Sequence, residues 1–123
     1  MSNAVRTVEG WHSQHMVFRI DFQKWAQWSD ADKSAAKAEL NAYLSELETE
    51  NVAEKSSYAF YSVNGVKGDL LLWILQPTLE SLYEWEIRFR KLKIAAVLEQ
   101  TYSYTSVTEL SSYLQSKMDS EEA

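Results

Sequence analysis

The feature that most constrains the fold of this chain is a run of consecutive apolar residues at positions 70–75, which reads LLLWIL. The run is too short to cross a membrane, since a spanning helix needs about 20 apolar residues. It follows the pair Asn64-Gly65, a strong hairpin signal because both residues tolerate positive φ, and Pro77 stops it. We therefore predict a β-strand over residues 69–76 that is apolar on both faces, and such a strand needs a covering layer on each side.

Three other segments predict strands, at residues 11–20, 57–63 and 101–110, because each is rich in β-branched or aromatic residues. Side chains alternate between the two faces of a strand. The odd-numbered residues of the first segment therefore share one face. In the last segment, Tyr102 and Tyr104 also share a face, which we expect to be the one that lacks helices.

Two amphipathic helices are predicted from apolar residues at helical spacing. The longer helix is capped by Ser29 or Asp30 and ends in the polar stretch 50–56. The second is capped by Thr78 and runs to about Lys91. A short helical turn capped by Asp21 is predicted at residues 22–28, and another short helical piece at residues 94–98.

These elements follow the order β-α-β-β-α-β, which is the ferredoxin-like α+β fold, with one antiparallel sheet and both helices on one face. The domain is predicted over residues 1–110, and residues 111–123 form a polar tail or the start of an inter-domain linker. The helices leave the other sheet face uncovered, and such an apolar patch is unfavourable on a monomer. We therefore predict a homo-oligomer, or a second ferredoxin-like half, packed against this face. The alternative cover is the terminal segments of the chain itself.

Composition narrows the classes of function. The formal net charge of −6 disfavours nucleic acid as a partner, because an acidic protein repels phosphate. We interpret the basic cluster of Arg88, Arg90, Lys91 and Lys93 as the solvated end of a helix. The chain has no cysteine, which excludes disulfides, thiolate nucleophiles and iron–sulfur clusters. The first ten residues lack the apolar core of a signal peptide, so we expect a cytoplasmic protein without a membrane segment.

The sequence nominates no catalytic or metal-binding residue. The only histidines, His12 and His15, lie three apart on a predicted strand, so they point to opposite faces and cannot share a metal. His15 alone has three interpretations: an axial haem ligand, a base or a packed strand residue, of which we favour the last. The glycines match no phosphate-binding fingerprint, and no G-x-S-x-G motif is present.

Four segments resemble the coproheme decarboxylases of the chlorite dismutase superfamily. The segment AVRTVEGW at 4–11 is similar to their opening, and YSVNGVKGDL at 61–70 is similar to their Y-[ST]-x-x-G-x-K-A-D-[IL] segment, with Gly68 where Ala is usual. The segment RFRKLKIA at 88–95 resembles the end of their second helix. YSYTSVTELS at 102–111 resembles their Y-S-Y-x-S-V-x-E-L-S strand.

The resemblance implies a protein with two ferredoxin-like halves per chain, packed as a dimeric α/β barrel and assembled into pentamers. The implied activity is hydrogen peroxide-dependent oxidative decarboxylation of iron coproporphyrin III to haem b. In this family the second half holds the proximal histidine, and a Y-P-M-x-K-x-R segment at the junction holds the catalytic tyrosine. Neither occurs in this sequence, which ends about where the linker would begin. We therefore expect an amino-terminal scaffold half that binds no cofactor and has no activity by itself.

One position carries a ligand role over from the family. An asparagine in an L-S-N-Y-L segment contacts a porphyrin propionate, and Ser112 stands there in the present L-S-S-Y-L. A serine hydroxyl can donate one hydrogen bond but reaches less far. Ser112 is thus the one cofactor-binding candidate of the chain.

Two other interpretations stay open. The first is a free-standing binding module in which two copies pair as a homodimeric α/β barrel. The second is a small cofactor-free enzyme of the same barrel type, such as a monooxygenase, although no side chain nominates itself as its base.

Overall fold

The computed structural model describes residues 11–63 and 68–107, and it confirms the ferredoxin-like α+β fold. Four strands form one antiparallel sheet in the order β2-β3-β1-β4. The elements are β1 (His12–Ile20), α1 (Phe22–Gln27), α2 (Asp30–Val52), β2 (Ser57–Ser62), β3 (Leu70–Gln76), α3 (Leu79–Arg90), a 3-10 helix (Lys93–Val97) and β4 (Leu98–Val107).

The α-helices begin where their capping residues predict. Asp21, Ser29 and Thr78 cap α1, α2 and α3, each with a side-chain oxygen that accepts a hydrogen bond from the backbone N–H three residues later, at 3.1 Å in all three cases. At its other end α2 stops in the predicted polar stretch, where Glu54 takes a φ of 61°. In the part of the chain described, no helix combines the length and the apolar character needed to cross a bilayer.

The hydrophobic core lies between the helices and one face of the sheet. The apolar stripes predicted for α2 and α3 bury residues in this core or pack against it. Tyr43 is fully enclosed there, its hydroxyl donates to the backbone oxygen of Trp85 at 2.7 Å, and burial raises the pKa of Tyr43. The sheet contributes Met16, Phe18, Leu72 and Ile74, and the helices contribute Tyr43, Leu47, Leu82, Trp85 and Phe89.

The last strand differs from its prediction. β4 begins at Leu98, three residues before the predicted start, because Leu98, Glu99 and Gln100 pair with the end of β1. These three residue types favour helices, so strand pairing overrides their local preference. A register shift opposite Val17 and Phe18 accommodates the extra length as a β-bulge. The predicted continuation of the strand over 108–110 lies outside the described residues.

The connection between β2 and β3 is described only at its ends. The predicted Asn64-Gly65 turn falls outside the described residues, but Ser62 pairs with Leu70 in the antiparallel register that a hairpin gives. The backbone N–H of Asp69 donates to the carbonyl oxygen of Phe18 at 2.7 Å. The entry into β3 is thereby fixed to the edge of β1.

Candidate functional site

The candidate site is the face of the sheet that points away from α2 and α3, which we call the outer face. Its side chains follow from the strand register, because cross-strand partners lie on the same face. Among the described residues no helix packs there, since the core contacts of α2 and α3 are with the opposite face. The outer face consists of Ser57, Ala59 and Tyr61 on β2, Leu71, Trp73 and Leu75 on β3, Ser13, His15 and Val17 on β1, and Tyr102, Tyr104 and Ser106 on β4.

The outer face is apolar and aromatic, as the run in β3 predicts. Tyr61, Tyr102 and Tyr104 keep 51%, 42% and 49% of their surface exposed. None of the twelve outer-face residues is Asp, Glu, Lys or Arg. Arg19 and Glu99 lie just beyond them at one end of the face and form an exposed ion pair of 3.8 Å. Interfaces between proteins are depleted of charge at their centre and enriched in tyrosine and tryptophan. The outer face therefore has the composition of an interface core.

The centre of this face is a row of four cross-strand partners, which we call the middle row: Ala59, Trp73, His15 and Tyr104. The imidazole of His15 stacks on the indole of Trp73, with ring centroids 5.1 Å apart and planes 16° apart. On its other side the ring of Tyr104 lies at 5.7 Å. The indole is fixed in turn by a 2.6 Å hydrogen bond from its Nε1 to Oγ of Ser13. These contacts make the middle row a rigid aromatic strip.

The surroundings of His15 in the middle row favour the neutral imidazole. Its Nδ1 is buried and has no hydrogen-bond partner. Burial lowers the pKa of His15, because the surrounding rings replace water that would stabilise the charged form. A proton on Nδ1 would be a buried donor without an acceptor, so the neutral proton belongs on Nε2, the ring nitrogen farther from the strand.

The described residues do not fit a haem site. A histidine that ligates a metal normally donates its second ring N–H to a fixed acceptor, and Nδ1 of His15 has none. His12 points to the opposite face of β1, as predicted, because its partners are Gln76 and Val107. No cluster of three potential metal ligands occurs in residues 11–63 and 68–107. The other candidate, Ser112, lies outside the described residues.

The basic cluster at the end of α3 is largely paired with carboxylates. Arg88 binds Glu46 at 2.7 Å, Arg90 binds Glu86 at 3.1 Å and Lys93 binds Asp32 at 3.1 Å. Arg88 also lies 4.3 Å above the ring of Trp85. The cluster thus joins α3 and the 3-10 helix to α2, which is a structural role.

The described residues form a ferredoxin-like domain with an aromatic outer face, and comparison with known proteins identifies the family. The sequence model of the family described as chlorite dismutase matches residues 33–123, which is well over half of the chain. The protein therefore belongs to the chlorite dismutase family.

Solved structures agree with this assignment. A novel heme-binding protein from Thermus thermophilus is 32% identical, with a TM-score of 0.78 over 87% of this chain and 47% of its own. A mutant chlorite dismutase from Candidatus Nitrospira defluvii, solved in complex with cyanide, has the same fold at 16% identity, with a TM-score of 0.73 over 97% of this chain and 49% of its own. The chain thus spans about half the length of the structures it matches.

Proposed function

We propose that this chain is the amino-terminal ferredoxin-like half of a chlorite dismutase-family protein of the coproheme decarboxylase type. Its task in this proposal is structural: it supplies one sheet of a two-sheet assembly through the outer face. The observation that carries the proposal is the aromatic, nearly uncharged outer face on a domain half as long as its structural neighbours.

The physical argument is the burial of the outer face. Two sheets that pack face to face lie about 10 Å apart, and their inner side chains interdigitate. The exposed rings of Tyr61, Tyr102 and Tyr104 would be removed from water in such a packing. Burying each aromatic side chain removes a large apolar area from water, and contacts between rings add further stabilisation. Association is therefore favourable without any ionic contact.

The haem chemistry is assigned to the other half of the assembly. The Thermus thermophilus relative is a heme-binding protein, and the proposed ligand of the present assembly is iron coproporphyrin III, which is converted to haem b with hydrogen peroxide in the cytoplasm. His15 lacks the partner that a ligating histidine needs. The contribution proposed for this chain is limited to a propionate contact from Ser112 and to oligomer contacts.

A porphyrin titration tests this assignment. The full chain is titrated with iron coproporphyrin III and with haem while the Soret band is followed, using His15→Ala and His12→Ala as matched variants. We expect no saturable shift at micromolar pigment in any of the three proteins. A saturable shift that His15→Ala abolishes and His12→Ala leaves intact would refute the scaffold assignment.

The proposed Ser112 contact can be tested only in the complete assembly. In a protein that contains both halves, Ser112→Ala is expected to weaken iron coproporphyrin III binding by a few-fold, because one neutral hydrogen bond contributes about 0.5–1.5 kcal/mol. Ser112→Asn, which restores the longer side chain of the family, is expected to strengthen it. Unchanged affinity in both variants would exclude the contact.

The middle row also favours a second candidate function, a free-standing binding module that pairs with its own copy. Sedimentation of the full chain shows whether the protein associates or stays a monomer. A stable dimer that ignores both pigments favours the module, whereas a porphyrin-dependent assembly with a second half favours the decarboxylase scaffold.

A further inference from the structure

The buried Nδ1 of His15 has a consequence for how the outer face associates. Buried polar atoms without a partner are rare in folded proteins, and each calls for an explanation. This one lies in the middle row, on one of the two central strands of the sheet. The energetically dominant contacts of an interface cluster near its centre and are rich in aromatic residues, and Trp73 and Tyr104 flank the imidazole there.

The middle row is shaped to pack against a copy of itself. It has the smallest side chain, Ala59, on the β2 edge and a large one, Tyr104, on the β4 edge. A two-fold axis parallel to the strands places β2 of one copy over β4 of the other, so each tyrosine ring lies over an alanine. The same axis places Trp73 of each copy over His15 of the other. A second copy of this chain is therefore the occupant that the shape of the row fits.

We infer that His15 is the polar contact at the centre of this interface and that two copies associate only while its imidazole is neutral. The inference rests on the second candidate function, the module that pairs with its own copy. In the docked state Trp73 of the second copy lies over the imidazole, and Nε2–H donates to a hydroxyl oxygen in a neighbouring row of the facing sheet. Hydroxyls are abundant on the outer face, which carries three serines and three tyrosines.

Protonation opposes docking because the facing sheet removes the remaining water from a charged ring. In the undocked chain a proton on Nδ1 is already a buried donor without an acceptor, so this penalty lowers the pKa of His15 in both states. The other ionisable side chains facing this region are the phenols of Tyr61, Tyr102 and Tyr104. The Arg19–Glu99 pair lies at the end of the face. His15 is thus the group on this face whose charge changes between about pH 5 and pH 8.

The sign of the pH effect follows from linkage. Docking lowers the pKa of His15 further, so association releases protons and weakens as the pH falls. Each unit by which docking lowers that pKa is worth about tenfold in affinity per chain, and a dimer has two such chains. The dimer dissociation constant is therefore expected to rise by about tenfold to about 100-fold between about pH 8 and about pH 5.

Sedimentation equilibrium of the full chain over this pH range is the test, with four variants. His15→Gln keeps a donor near the position of Nε2 but does not titrate, so it is expected to dimerise with an affinity that is independent of pH. His15→Phe is expected to lose the pH dependence as well. His12→Gln, on the opposite face of β1, should behave as wild type. Ala59→Tyr fills the space that the Tyr104 ring of the second copy would occupy, and it should abolish association.

The outcomes separate the inference from the proposal on which it rests. A dimer sensitive to Ala59→Tyr, with a pH dependence that His15→Gln removes, supports both. A dimer whose pH dependence persists in His15→Gln overturns the role of His15 and leaves the pairing of sheet faces in place. A chain that stays monomeric at all concentrations and pH values overturns the pairing and the role of His15 together.

A spectroscopic measurement gives an independent readout. The chain has two histidines, so histidine labelled with ¹⁵N reports on two imidazoles, and His12→Gln assigns them. We expect the His15 ring to have its neutral proton on Nε2, and its pKa to fall when the protein concentration is raised. An imidazole with its neutral proton on Nδ1, or a pKa that does not change with concentration, overturns the inference.

Discussion

Replacing Gly68 by alanine sets two effects of opposite sign against each other. Gly68 does not lie in the left-handed region, so alanine can adopt its backbone conformation. In that situation Gly→Ala ordinarily stabilises a protein by about 0.4–1 kcal/mol, because the unfolded chain loses conformational freedom. The added methyl group, however, would lie 2.6 Å from the carbonyl oxygen of Phe18 and 2.7 Å from Cγ1 of Val17.

The steric effect should exceed the entropic one. The Phe18 oxygen cannot easily withdraw, because it accepts the 2.7 Å hydrogen bond from Asp69 that fixes the entry of β3. Overpacking of this kind costs about 1–3 kcal/mol. After the entropic gain, Gly68→Ala is expected to lower the free energy of unfolding by about 1–2 kcal/mol.

Urea denaturation at a fixed protein concentration measures this change, and an unchanged m-value would show that the denatured state is unaltered. Val17→Ala in combination with Gly68→Ala is the matched control. The double variant is compared with Val17→Ala alone, because truncating the buried Val17 lowers stability by itself. In that background Gly68→Ala is expected to cost less than in the wild type but still to destabilise, because the contact with the Phe18 oxygen remains. An alanine variant at least as stable as the wild type would refute the reasoning. It would show that β1 and β3 can separate at this point.

Three other perturbations test the helix side of the sheet. Tyr43→Phe leaves the backbone oxygen of Trp85 without its 2.7 Å partner, and we expect chemical denaturation to show a loss of about 1 kcal/mol. Glu54→Gly relieves a residue at φ 61° and should raise the melting temperature, since a side chain in that region costs about 1–2 kcal/mol. Lys93→Ala should raise the pKa of Asp32, measured by NMR titration, because the hydrogen bond and charge of Lys93 lower it. In the wild type this contact stabilises the fold at neutral pH and is lost as the pH falls through the lowered pKa of Asp32.

The order of the elements could be predicted because the signals for each are local. Side-chain caps start the three α-helices, Pro77 stops β3, and the periodicity of each segment fixes its type. The start of β4 could not be predicted in the same way. Leu98 and its two successors become a strand through pairing with β1, across a bulge that depends on the register of distant residues. Local preference does not encode that register.

The candidate site could likewise be predicted only in part. The sequence places His15 and Trp73 on separate strands and indicates that the third strand needs cover on both sides. It does not indicate that the two rings stack, because that contact depends on the pairing of β1 with β3, which lie far apart in the sequence. The sequence also does not indicate that Nδ1 of His15 lacks a hydrogen-bond partner, because this results from the rings on both sides rather than from any motif. The sequence therefore predicts only a packed strand residue at His15.

The two faces of the sheet differ in how completely their polar groups are hydrogen-bonded and their rings are buried. On the helix side the side chains are buried and have their partners: Tyr43 makes its hydrogen bond, and Met16 and Leu72 are fully enclosed. The outer face is packed within itself, through the stack of His15 on Trp73, yet it leaves aromatic surface and an unpaired ring nitrogen. Because the rings of Tyr61, Tyr102 and Tyr104 are exposed, unlike the buried Val17 and Leu75 of the same face, substitutions at the tyrosines can alter association while the fold persists. In the proposed pairing, the outer face selects the partner sheet, and the protonation of His15 at its centre sets the pH range in which the two sheets associate.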